Sequence, residues 1–111
     1  MNRSVALGMA LLLAAGAVAA TACSGNSARI SSVTALTADT VSGKTLYTSN
    51  CASCHGSDGK SASGKKNIVS ATTSNTSGAV DTMLSGDGDM PDFANLSDQE
   101  LANIVGYVKT L

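Results

Sequence analysis

The pentapeptide Cys51-Ala52-Ser53-Cys54-His55 constrains this chain more than any other stretch. Two thiols three positions apart, with a histidine directly after the second, suit one flat ligand. Each sulfur can form a thioether with a vinyl carbon at the edge of a haem, and the imidazole then reaches the iron. His55 is the sole histidine of the chain. Three other readings use the same residues. A thiol redox site calls for a preceding apolar strand in a βαβ setting, whereas residues 43–50 have the spacing of a short helix. A structural zinc site needs four ligands, and only Cys51, Cys54 and His55 lie close together along the chain. A plain Cys51–Cys54 disulfide leaves the adjacent histidine unexplained.

Cysteine chemistry of this kind belongs outside a reducing cytosol, and the start of the chain agrees. After Arg3, residues 5–20 run almost without polarity and are rich in Ala and Leu, the layout of a secretory signal over residues 1–22. The exit, Ala20-Thr21-Ala22-Cys23, resembles a bacterial lipoprotein processing site, in which Cys23 becomes the lipidated first residue. Ala20 stands where Leu is preferred, and ordinary cleavage after a small residue is the competing reading. Lipidation would place the protein on the periplasmic side of a bacterial membrane; ordinary cleavage would leave it soluble there. Residues 23–38 are rich in Ser, Ala, Thr and Asn, with no sustained period, and read as a flexible tether.

Residues 39–111 remain as one small domain. A chain this short buries little surface and gains from a cofactor or crosslink; with only Tyr47, Phe93 and Tyr107 as aromatics, a covalent haem would supply a large apolar body. Removing the leader deletes Arg3, so 6 basic residues face 8 acidic ones, a net of −2. Beyond Lys65-Lys66 there is no basic run, which argues against a nucleic-acid partner.

Within the domain the pattern is helical. A first helix is predicted from Asp39 or Thr40 to just before Cys51, with Gly43, Leu46 and Tyr47 inward. Residues 56–67 read as loop, with Gly56 turning the chain and Ile68 and Val69 packing at the haem edge; residues 70–77 read as loop as well. A short helix over 78–84 stops at Ser85-Gly86. The last helix opens on the capping box Ser97-Asp98-Gln99-Glu100 and carries Leu101, Ile104, Val105, Val108 and Leu111 on one stripe. Gly43, Ala102 and Gly106 are small enough for a close helix crossing.

With no second histidine, a sixth ligand from this chain would be a methionine sulfur. Met83 falls at helical spacing among apolar residues and reads as core. Met90 lies in the Gly/Asp loop before Pro91, which holds the residue ahead of it extended, and it is the candidate ligand.

Taken together, Gly43 and Tyr47, then Cys51, Cys54, His55 and Gly56, then Met90-Pro91 and Phe93, then the capped terminal helix through Tyr107, resemble a small class I c-type cytochrome over residues 39–111. The resemblance implies an all-α, cytochrome c-like fold in which the first and last helices cross around one covalent haem c. It also implies axial ligation by His55 and Met90, an exposed haem edge, and one-electron transfer between redox protein partners without catalysis. Many relatives dock through lysines near that edge, whereas Asp87, Asp89 and Asp92 surround the ligand loop here; partners with basic surfaces are the expectation. The alternative is a sensor or catalytic module with a labile or absent sixth ligand. Against it, the folded part carries no second His and no Arg, since Arg29 falls in the tether.

Overall fold

Ser97 begins the element on which the others pack. Its side chain accepts from the Glu100 amide while the Glu100 carboxylate accepts from the Ser97 amide at 3.1 Å, so two otherwise unbonded donors of the first turn are satisfied reciprocally. The structure, a computed structural model, describes residues 25–60 and 67–111. It contains six helices and no sheet among those residues: α1 (Ser27–Ala35), α2 (Thr40–Asn50), α3 (Ala52–His55), α4 (Ile68–Ser74), α5 (Thr76–Ser85) and α6 (Asp98–Val108). The signal segment, Cys23 and Lys65-Lys66 lie outside the described residues.

Asp39 caps α2, as its sequence implies, by accepting from the Val41 and Ser42 amides at 2.9 and 3.1 Å. α2 then crosses α6 closely at Gly43. A Cβ there would lie 2.6 Å from the Asn103 carbonyl carbon and 2.9 Å from Tyr107 Cβ, so the bare glycine is what lets the two backbones approach. Gly106 serves a different contact from the one its spacing implies: it faces Ala38, just before α2. The crossing is closed by Tyr47 and Tyr107, whose ring centroids are 5.4 Å apart at 57°, within the tilted geometry that aromatic pairs favour.

Two apolar clusters flank α6. One holds Tyr47, Cys51, Ile104 and Val108, with Ile68 and Val69 against it. The other holds Val80, Leu84, Leu101, Ala102 and Val105, joined by Val33 of α1. Met83 packs against both clusters, the core role that its spacing indicates. Lys109 stands just past the last turn of α6, at its C-cap.

Three expectations are corrected. Within the segment read as a tether, Ser27–Ala35 is helical, and Val33 is 2% exposed. Its apolar face consists of little more than Ile30 and Val33, too few to register as a period, yet enough to dock on the α5 and α6 cluster. Arg29 is consequently part of the folded unit, paired with Asp98 at 2.8 Å. Residues 70–77, read as loop, are almost entirely helical. Asn67 caps α4 on the Ser70 amide and Asn75 caps α5 on the Gly78 amide, while Thr73, Ser74 and Thr76 turn their hydroxyls onto carbonyls four residues back. Polar composition there reflects hydroxyls satisfied within helices.

Candidate functional site

The chain leaves α2 at Cys51 and immediately starts α3, one turn that carries Cys54 and His55. Gly56 ends that turn at φ +78°, a left-handed conformation open to glycine, as its position after His55 implies. The Tyr47 hydroxyl donates to the Gly56 carbonyl at 2.7 Å, tying the end of the turn back to α2. Burial pushes the Tyr47 phenol up to about 12, aided by Cys51, Tyr107 and Asp58.

Cys51 is buried and Cys54 exposed, and both are free thiols. Burial first, then the neighbouring Cys54, pushes the Cys51 thiol up to about 11. A reactive redox cysteine needs the opposite shift, because the thiolate is the nucleophile. The Cys51 environment therefore does not favour thiol exchange. Nδ1 of His55 is buried.

Across from this turn, α5 ends at Gly86 with φ +75° and gives way to a tight loop. Asp87 and Met90 exchange backbone hydrogen bonds at 3.1 and 2.9 Å, and the Phe93 amide donates to the Met83 carbonyl at 2.6 Å. The result is a cavity of about 320 Å³ that brings together Cys51, Cys54 and His55 with Met90, Pro91 and Phe93. Met83 is not in its lining, nor are Ile68 and Val69, which pack against the cluster of Tyr47, Cys51, Ile104 and Val108. Asp87 and Asp89 add two exposed carboxylates to the lining, and Asp92 is exposed close by in the chain. Among the described residues, no three His, Cys, Asp or Glu side chains converge to hold a bare metal ion.

Arg29 is absent from this lining as well. It is engaged by Asp98 and by the carbonyls of Ala94 and Leu96. Its arrival in the folded unit therefore supplies no charged group to the cavity. Asn103 is a residue that sequence reasoning missed. It is a buried polar side chain on α6 whose Oδ1 accepts from the Asp39 amide at 2.9 Å and from Gln99 at 2.7 Å, locking the start of α2. Its position beside the apolar stripe of the last helix was the available signal.

This helical domain, with its CxxCH turn facing a methionine loop, is redox-related through its family. Residues 38–108 match the family described as cytochrome C oxidase, cbb3-type, subunit III, and the chain belongs to that family. No curated protein and no solved structure matches it significantly. No helix among the described residues is long and apolar enough to cross a membrane.

Proposed function

We propose that this chain is a one-electron carrier that binds a single covalent haem c, with His55 and Met90 as axial ligands. It passes electrons between exported or membrane-associated redox proteins. The observation that carries this reading is the shared cavity: Met90, remote from the pentapeptide in sequence, lines the same wall space as Cys51, Cys54 and His55, whereas Met83 does not. The donor set also fits. Two reduced thiols, one imidazole and one thioether are what a covalently held, six-coordinate haem takes from its protein.

Bound there, haem would supply a one-electron couple at its iron. Cys51 and Cys54 would hold it by adding each S–H across a vinyl double bond, sulfur to one carbon and hydrogen to the other, so that no oxidant is consumed. The His55 imidazole would be the nitrogen ligand. The Met90 sulfur, a soft neutral donor, would favour the reduced state and raise the potential. Held by both the His55 nitrogen and the Met90 sulfur, the iron would keep no site for a substrate, which supports a carrier over an enzyme.

The exposed carboxylates of Asp87, Asp89 and Asp92 favour partners with basic surfaces. Membership in the oxidase-subunit family supports donors and acceptors within a respiratory redox complex. A lipid on Cys23 would keep the domain at the periplasmic face of the membrane.

Absorption spectra of the exported protein, oxidised and reduced and extended into the near infrared, test the reading. Covalent haem should appear with the weak sulfur-to-iron band, which Met90→Ala abolishes and Met83→Ala retains. Covalent haem without that band, together with ready carbon monoxide binding, would replace the carrier by a ligand-binding module. Absence of covalent haem would return Cys51 and Cys54 to thiol chemistry.

A further inference from the structure

α1 precedes the family match, which begins at residue 38, yet it is bonded to both ends of the segment that carries Met90. At one end, Asn26 Nδ2 donates to Asp81 Oδ1 at 2.9 Å and to Ser85 Oγ at 2.8 Å, on α5 just before the loop. At the other end Arg29 donates from all three guanidinium nitrogens: Nε to Asp98 Oδ1 at 2.8 Å, Nη1 to the Ala94 carbonyl at 2.8 Å, and Nη2 to the Leu96 carbonyl at 2.6 Å. Ile30 and Val33 seat the helix against the core between these contacts. Residues 86–96 thus leave α5 and enter α6 through two stems that one short helix spans.

The loop itself has little slack. Besides the paired Asp87 and Met90 and the Phe93 bond to Met83, a Cβ on Gly86 would lie 2.8 Å from the Met90 carbonyl oxygen and 3.1 Å from the Asp92 amide. A piece so tightly made moves mainly as a unit, and its stems decide where it sits.

We propose that α1 is a clasp that sets how firmly Met90 is held at the cavity, with Arg29 and Asn26 as positioning residues; this rests on the reading of Met90 as an iron ligand. Arginine suits the task because its planar fork satisfies a carboxylate and two carbonyls at once, which the point charge of a lysine does not. The crossing of α2 and α6 uses other contacts, at Gly43, Asn103 and Tyr107, so opening the clasp frees the loop while the crossing stays intact.

The test compares the haem-loaded full chain with its Arg29→Ala, Arg29→Lys and Met90→Ala variants. In Arg29→Ala, amide hydrogen exchange at Met90 and Phe93 should quicken about tenfold, the loss of charge-assisted bonds at one stem. Amides of Tyr47 and Val105 should stay as protected as before. Carbon monoxide should bind the reduced variant about tenfold more readily, with Arg29→Lys falling between the two. Unchanged exchange at Met90 and Phe93, or a rise shared equally by Tyr47 and Val105, overturns the clasp, because α1 would then contribute only general stability. If Met90→Ala leaves the near-infrared band and carbon monoxide binding as they were, the ligand reading fails by itself. The exchange comparison, which needs no iron–sulfur bond, still decides whether α1 fixes the loop.

Discussion

Gly43 carries no side chain, and the approach of α2 to α6 depends on that. In an ordinary helix Gly→Ala is favourable by about 1 kcal/mol. Here the added methyl would run into the Asn103 backbone, which cannot move aside as the end of a flexible side chain could. Gly43→Ala should therefore destabilise the protein by about 1–3 kcal/mol, the cost of overpacking, read as a lower denaturant midpoint. Tyr47 makes the opposite point, because its hydroxyl does something its ring alone cannot. Tyr47→Phe keeps the packing with Tyr107 but strips the Gly56 carbonyl of its 2.7 Å donor. A loss of about 1 kcal/mol is expected in the same unfolding measurement. Gly43, Tyr47 and the CxxCH turn were all legible in the sequence, since each announces itself by type and spacing. Asn103 was not, because a buried amide is explained only by the Asp39 and Gln99 donors that the fold brings to it.

Among the elements, α2, α5 and α6 declared themselves, α2 and α6 each with a capping residue and a patterned inner face. The ones that escaped were α1 and α4, whose sequences are mostly Ser, Thr and Ala. Their helicity is supported by contacts that the apolar pattern does not show, tertiary bonds for α1 and the Asn67 cap for α4. Propensity summed over such stretches is a weak guide when partners decide. The joint of α1 with α6 has a pH signature. The Arg29 hydrogen bond first, and the Ser32 hydroxyl second, hold the Asp98 carboxyl below its ordinary 3.8. A carboxyl whose pKa is lowered by folding stabilises the folded chain above the ordinary value and loses that effect as pH falls through the lowered one. Both side chains are about a third exposed, 32% for Arg29 and 31% for Asp98, so the contribution is modest and screened by salt. Urea unfolding followed downward from about pH 4 should show stability falling in the parent chain. The fall should be shallower in Asp98→Asn, with Asp39, lowered by Ser42, supplying the remainder.

For the whole molecule, the balance of charge bears on association. With Asp87, Asp89 and Asp92 exposed around the methionine loop, electron exchange with a cationic redox partner should slow as salt rises from about 10 to 200 mM, and exchange with an anionic one should quicken. Stopped-flow rates against two small redox proteins of opposite charge would check the sign; a common trend for both would remove the acidic loop from docking. The crossing that buries Cys51 has a consequence in time as well. Asp39 meets Asn103 across 64 positions of sequence, and Arg29 meets Asp98 across 69. Contacts this distant form late, because the intervening chain must be closed before they yield anything. Until the final helix has been delivered, Ile104 and Val108 are missing from the cluster that buries Cys51. On the proposed reading of export and haem attachment, both thiols would be open to that chemistry before the native structure hides one of them.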